Sequence, residues 1–359
     1  MSPPHANTSA RHPWKQIAVT LGAATLAGLV ANYLTLPLPW MMGPMICVSA
    51  IALGGGRVSM PRLLVNPLVP ILGLWLGSGV TPELVGQMLH WYPSLLGLFG
   101  WLMVTGALGF VYYRRVVGLD ATTAFFGAMP GGLTDMTLIG ASLGGDGRLI
   151  PLIHSVRMVL TIIIVPVSFR LSMHLPPTSA MQQVGLFDIA PRDVLILALC
   201  AVAGVVIAKR LRLPAPYMLG AMALSALVHV TGITASRPPS LLVSAAQVLV
   251  GAHVGARFAG VSVAYVGGFA RQAATATMII LASSLVFATA VNALSGDSFP
   301  ALVLAYSPGG LPEMSLVAIA LGIDPTFVAL HHLIRVISVV SFAPIVFRYT
   351  AQPGDKPDD

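Results

Sequence analysis

The sequence predicts an all-α integral membrane protein made of two tandem repeats, and three observations carry that reading. Of the 359 residues, 56% are hydrophobic and only 9% charged, with mean hydropathy +0.86, against roughly 25% charged residues in an average soluble domain. Apolar runs close to the about 20 residues of a spanning helix recur along the whole chain. A Pro-Gly-Gly tract followed three residues later by a carboxylate occurs twice, as Pro130-Gly131-Gly132-Leu133-Thr134-Asp135 and Pro308-Gly309-Gly310-Leu311-Pro312-Glu313. A helix cannot run undisturbed through Pro-Gly-Gly, and a carboxylate in hydrocarbon is costly. Each tract therefore marks polar backbone and an ionisable group held inside the membrane.

Taken in order, residues 1–14 are polar and Pro-containing and read as a disordered cytoplasmic N-terminus. Arg11 and Lys15 precede an apolar run without a small-residue cleavage site, so the first span is expected to be uncleaved rather than a signal peptide. Repeat 1 occupies 15–172, with spans at about 17–35, 40–56, 62–80 and 94–113, a broken segment at 121–145 and a last span at 150–170. A linker, 173–191, leads to repeat 2 at 192–349 and a polar tail at 350–359.

The duplication is read from matched motifs. Leu36-Pro37-Leu38-Pro39-Trp40-Met41 recurs as Leu213-Pro214-Ala215-Pro216-Tyr217-Met218, and Gly73-x-x-x-Gly77 as Gly251-x-x-x-Gly255. His154 and Arg157 match His332 and Arg335, and Pro166 and Arg170 match Pro344 and Arg348. Apart from one slipped residue early on, the offset is 178 throughout.

Whether the broken segment crosses the membrane decides the architecture. A re-entrant hairpin gives each half an odd number of spans and inverts the second half, whereas a crossing segment leaves the halves parallel. Lys and Arg concentrate in cytoplasmic loops. With hairpins and a cytoplasmic N-terminus, only Arg170, Arg192 and Arg237 of the 19 Lys and Arg residues fall outside, and Arg157 and Arg335 lie in the membrane. The parallel alternative also moves Arg148, Lys209, Arg210, Arg212, Arg257 and Arg271 outside. The expected architecture is therefore inverted repeats with about ten spans and two re-entrant or broken segments at Pro-Gly-Gly. A discontinuous crossing helix with one span miscounted would preserve the odd number.

At each tract, proline ends the preceding helix and glycine lets the chain turn and another group approach closely. New half-helices are expected near Leu133 and Leu311, their positive dipole ends favouring an anion or a carboxyl-bearing solute. Asp135 and Glu313 fall in their first turns, and Thr134, Ser307 and Ser315 add oxygen ligands, an arrangement that also suits a proton or small cation. Alternatively the carboxylates cap these half-helices and pair with arginines. Arg157 and Arg335, at spacing i, i+3 from His154 and His332 and on the same face, either pair with Asp135 and Glu313 or bind an anion directly. The histidines, with His331 and His253, either relay protons or are packed polar groups. Gly73, Gly77, Gly251 and Gly255 permit close helix crossing beside the broken segments, with Trp75 and His253 as lining candidates. The Leu-Pro-x-Pro signatures mark turns at an interface anchored by Trp40 and Tyr217.

Several functions are excluded or weakened by composition. The net charge of +7 includes no block of five or six basic residues, so nucleic acid is not an expected partner. Cys47 and Cys200 lack CxxC spacing and read as packing residues rather than as a zinc or redox pair. No GxxxxGK[ST] sequence is present, so no ATP site is expected. No cofactor or metal is expected, and the chain does not read as an enzyme.

The paired tracts Ala128-Met129-Pro130-Gly131-Gly132 with Asp135-Met136 and Tyr306-Ser307-Pro308-Gly309-Gly310 with Glu313-Met314, together with the two Leu-Pro-x-Pro signatures, resemble the bacterial membrane AbrB family over roughly residues 15–350. The resemblance implies a duplicated, multi-pass domain in the bacterial inner (plasma) membrane. The family carries labels such as regulator of aidB expression and ammonia monooxygenase, and shares its name with, but does not resemble, a small soluble DNA-binding regulator. More distantly, the array is similar to the cation/proton antiporter and anion transporter superfamily, by fold analogy alone. The expected function is secondary transport of a small, anionic solute coupled to H+ or Na+, with the lipid bilayer and a second copy of the chain, in a homodimer, as expected partners. Indirect regulation of gene expression is the alternative. A metal-dependent monooxygenase is a weaker one, because His331 and His332 are adjacent on a helix and point about 100° apart.

Overall fold

The computed structural model describes residues 13–173, 184–186, 188–261 and 263–350. The expected N-terminal segment, the linker and the C-terminal tail lie largely outside the described residues. Within them every regular element is helical. The first half contains α1 (Pro13–Tyr33), α2 (Pro39–Leu53), α3 (Arg62–Val65), α4 (Val69–Gly77), α5 (Pro82–Gln87), α6 (Tyr92–Val111), α7 (Ala121–Ala128), α8 (Leu133–Ser142) and α9 (Leu149–Met173). The second contains α10 (Pro191–Arg210), α11 (Pro216–Val230), α12 (Ser240–Ala256), α13 (Val263–Ser295), α14 (Phe299–Tyr306), α15 (Leu311–Ala320) and α16 (Pro325–Thr350).

Six helical stretches are long and apolar enough to cross a membrane: Trp14–Tyr33, Tyr92–Val117, Leu149–Ser172, Pro191–Arg210, Gly268–Ser295 and Pro325–Tyr349. The apolar helices at the other expected spans are shorter. The run expected to be continuous over 62–80 is divided into α3 and α4, because Pro67 removes a backbone donor and clashes with the preceding turn. Its counterpart, α12, carries no internal proline and is unbroken.

The Leu-Pro-x-Pro turns share an unusual backbone. Thr35 and Leu38 have φ of 53° and 48°, and Arg212 and Ala215 have 53° and 46°. This left-handed conformation strains any residue with a Cβ, and it recurs at matched positions ahead of α2 and α11. Trp40 does not stand free at an interface: its ring lies against Gly28 of α1, where a Cβ would be 2.8 Å away. Tyr217 lies under the Lys209 ammonium, 4.2 Å from the ring centroid.

Gly73 and Gly77 of α4 meet the carbonyls of Met218 and Met222 on α11, while Gly251 and Gly255 of α12 meet those of Met41 and Met45 on α2. A Cβ at any of the four would strike backbone, so glycine is required by the crossing itself. Helices in lipid gain little from burial and associate through such close packing. The small-residue faces thus pack across to the opposite half, and Leu76, next to Gly77, also packs in one cluster with Leu311 of the second broken segment.

Contacts between α6 and α13 run in opposite sequence order. Gly97 faces Val291, Gly100 faces Phe287, and the hydroxyls of Thr105 and Ser283 are hydrogen bonded at 3.0 Å. Thr105 and Ser283 are separated by 178 residues, so each meets its own counterpart. Contacts between α7 and α8 are likewise antiparallel. Phe126 packs where a Cβ on Gly140 would be 3.1 Å away, and the Thr123 hydroxyl accepts a 2.7 Å bond from the amide of Asp146.

Candidate functional site

Both tracts interrupt a helix at the expected place. α7 is opened by Asp120, whose carboxylate accepts from the Thr123 amide at 2.8 Å, and it ends at Ala128; α14 ends at Tyr306. After the break, α8 and α15 start at Leu133 and Leu311 with Asp135 and Glu313 in their first turns. The glycines are not there for unusual torsions: Gly132 and Gly310 have φ of −66° and −76°. They are there for space. A Cβ on Gly132 would lie 2.6 Å from Asp135 Oδ2, and one on Gly310 would fall on the Glu313 carboxylate. Each acidic side chain curls back over the start of its own helix, as a capping-box acid does. Gly131 and Gly309 make room in the same way for Met136 and Met314.

The first half-helix at each break ends in carbonyls without intrahelical donors, and the His/Arg pairs supply them. In repeat 1, His154 Nε2 lies 3.0 Å from the Phe126 carbonyl, and Arg157 donates to the carbonyls of Gly127, Ala128 and Met129 at 3.3, 3.1 and 3.0 Å. In repeat 2, His332 Nε2 lies 3.0 Å from the Leu304 carbonyl, and Arg335 donates to the carbonyls of Ser307 and Gly309. Each arginine also donates to Nδ1 of its histidine, at 2.7 Å for Arg157 and 3.1 Å for Arg335. Guanidinium has no acceptor, so both imidazoles are held as the neutral Nε2–H tautomer with both nitrogens engaged. In this arrangement they bracket the broken helix ends. The expected pairing of Arg157 and Arg335 with Asp135 and Glu313 is not the observed arrangement. Orphan backbone carbonyls take the guanidiniums first, because a helix end in an apolar interior has no other donor.

The two tips meet at one cavity of about 190 Å³. Gly131, Gly132, Leu133 and Asp135 line it from the first tract, and Pro308, Gly309, Gly310, Leu311 and Pro312 from the second, with His154, Arg157 and Arg335 alongside. Two guanidiniums, the starts of two half-helices and the Asp135 carboxylate therefore line one cavity. Among the candidates, Pro130, Thr134, Ser307, Glu313, Ser315 and His332 do not line it. Thr134 is exposed and accepts from Arg62 Nη2 at 3.0 Å, and the Ser307 hydroxyl donates to the Val303 carbonyl at 2.7 Å. Glu313 is 4% exposed and its Oε2 has no hydrogen-bond partner; Ser315 Oγ is likewise buried and unpartnered. Asp135 is half-buried.

Trp75 and His253 do not line this cavity, and His253 Nδ1 is 2.9 Å from the Met60 carbonyl. His331 is bonded to the Phe327 carbonyl and to Ser94, at 2.8 and 3.0 Å. Among the described residues no group of three His, Cys, Asp or Glu side chains is placed to hold a metal ion.

Sequence reasoning assigned the Leu-Pro-x-Pro turns to architecture alone. Yet Pro214, Ala215 and Leu219 of the second turn line the cavity, as does Met158 of α9. The recurrence of the turn was the available signal. Met158 carried none, because an apolar residue in an apolar helix is indistinguishable from packing.

The chain matches the AbrB family, described as "Transition state regulatory protein AbrB", over residues 40–351. It is similar to the protein YhjN of Bacillus subtilis (strain 168), at 27% identity covering 94% of each chain. It is also similar to the "Putative regulator AbrB" of Escherichia coli (strain K12), at 22% identity covering 89% of this chain and 92% of that one. The matched span is most of the sequence, and the chain belongs to the AbrB family.

Proposed function

We propose that this AbrB-family protein is a secondary transporter of a small anionic solute, coupled to a proton or cation, in the bacterial inner membrane. The observation that carries this reading is the cavity where both Pro-Gly-Gly tips, Arg157, Arg335 and Asp135 converge. A site of about 190 Å³ with two guanidiniums and two helix N-termini suits a compact oxyanion or carboxylate. Transporters place such sites at the midplane, between repeats and at helix breaks.

The architecture proposed with it is a pair of inverted repeats. The antiparallel run of α6 against α13, with Thr105 on Ser283, supports a two-fold relation with its axis across these helices. The antiparallel contacts of α7 with α8 support a re-entrant hairpin rather than a crossing helix. At 1.5 Å per residue, half-helices of 8 and 10 residues reach about 12–15 Å, half of the roughly 30 Å hydrocarbon core. Ten spans and a cytoplasmic N-terminus complete the proposal.

A second reading, indirect regulation of gene expression, draws on the name of the Escherichia coli relative. Loss of a transporter alters expression through its solute, so the two readings are compatible. The test is flux in proteoliposomes across a panel of mono- and dicarboxylates, sulfate and phosphate. Uptake of one member, abolished in Arg335→Gln, is expected; absence of flux across the panel overturns the transport reading.

A further inference from the structure

Glu313 lies outside the cavity, yet one side chain connects the two. Met158 of α9 lines the cavity. Its methyl would lie 2.8 Å from a Cβ on Gly310, the glycine over which the Glu313 carboxylate is folded. Its sulfur accepts from Arg257 Nη1 at 2.9 Å. Arg257 follows α12, and its guanidinium is within electrostatic reach of Glu313. One thioether thus touches the cation through its sulfur and lies beside the acid through its methyl, and it is a weak acceptor for a guanidinium.

We propose that Glu313 is the proton-binding group of this protein, and that Met158 and Arg257 form a latch that transmits its protonation state to the cavity. With the proton on, the carboxyl is neutral and Arg257 rests on the Met158 sulfur. Loss of the proton to water leaves a carboxylate whose nearest available cation is Arg257. The guanidinium closes on Glu313 and Met158 is displaced, which changes the cavity wall beside Arg157. The proposal deepens the transport reading by naming the coupling ion.

The surroundings favour a proton over a metal cation. A guanidinium and a thioether are poor company for Na+, which needs several oxygen ligands. Other titratable groups on the packed elements are already engaged. His154 and Arg157 of α9, and His332 and Arg335 of α16, form the brackets; His331 is bonded to the Phe327 carbonyl and Ser94, and Tyr306 of α14 donates to the Ser94 carbonyl. His253 of α12 bonds the Met60 carbonyl, His229 of α11 bonds the carbonyls of Ser225 and Ser236, and Tyr217 sits against Lys209. The repeat offset supplies the contrast: Arg257 matches Gly79 and Met158 matches Val336, so Asp135 has no such latch.

Oxidation of Met158 by hydrogen peroxide, read by peptide mass spectrometry on the full chain in nanodiscs, tests the latch, because sulfoxide formation follows thioether exposure. Between about pH 4 and pH 9, a range that brackets carboxyl titration, the Met158 rate is expected to rise about tenfold. The rate should stay flat in Glu313→Gln and Arg257→Gln, with the buried Met42 and Met136 as internal references. A pH-difference infrared spectrum should lose one protonated-carboxyl band in Glu313→Gln and keep it in Asp135→Asn and Arg257→Gln, which separates proton binding from misfolding. An unchanged pH profile of Met158 in Glu313→Gln, or no band lost there, overturns the proposal. Neither readout uses a solute: both results with no flux uphold the latch and remove the transport reading, whereas flux with a flat Met158 profile in the unsubstituted chain removes the latch alone.

Discussion

The tips of the two repeats are built alike and furnished differently. Each ends its first half-helix in carbonyls held by a His/Arg pair at the same spacing, and each starts its second half-helix on a glycine covered by an acid. The acids then diverge: Asp135 is half-buried and lines the cavity, whereas Glu313 is 4% exposed, folded over Gly310 and not part of the lining. The two breaks share what the broken backbone requires and differ in what it does not. A missing bracket leaves several buried carbonyls unsatisfied, while a carboxylate one methylene longer can face a different neighbour.

The largest effect that would break this comparison is at the brackets. Arg335→Ala and Arg157→Ala should each lower stability by about 3–5 kcal/mol, since several charge-assisted bonds to buried carbonyls go at once. Thermal unfolding in detergent reads this loss, and a loss confined to one repeat would show that the tips are not equivalent scaffolds. Next are the glycine crossings. Gly73→Val and Gly251→Val should each cost about 1–3 kcal/mol by overpacking against backbone, and a large inequality between them would break the reciprocity of α4 on α11 and α12 on α2.

The carboxylates sharpen the contrast at a smaller scale. Asp135→Asn removes the one negative group from a cavity lined by two guanidiniums, and should tighten binding of sulfate or a dicarboxylate by about five- to tenfold, near 1 kcal/mol. Glu313→Gln, which holds the latch in its protonated form, should leave that affinity within about twofold of the value the unsubstituted chain shows with Glu313 protonated, measured by titration calorimetry. Equal responses would mean that the two acids share one site after all. The smallest effect is expected for Thr134→Val, which removes the exposed bond to Arg62 and should change stability by about 0.5 kcal/mol or less.

Much of this organisation was legible from residues alone. Pro130 and Pro308 located the breaks, and the i, i+3 spacing placed His154 with Arg157 and His332 with Arg335 on one face. What misled was the assumption that the nearest opposite charges would pair. The guanidiniums went to backbone carbonyls because the break leaves those without intrahelical donors, a demand that side-chain arithmetic does not register. Of the two reasons read for glycine, close approach rather than turning applies at Gly132 and Gly310: their torsions are ordinary, and the acid's footprint forbids a side chain.

By itself the sequence determined the helical class, the long apolar runs, the site of each helix break and the spacing of its brackets. These follow from composition, from 3.6-residue periodicity and from the covalent limits of proline, all of which act within a few residues. Only the tertiary structure decided that α4 and α12 pack on the opposite half, that the second Leu-Pro-x-Pro turn lines the cavity and that Asp135 faces it while Glu313 does not. It alone brought Arg257 onto Met158 across 99 residues of chain. Such choices depend on how close distant backbones can come, and here that limit is set by the missing Cβ atoms of Gly73, Gly77, Gly251 and Gly255.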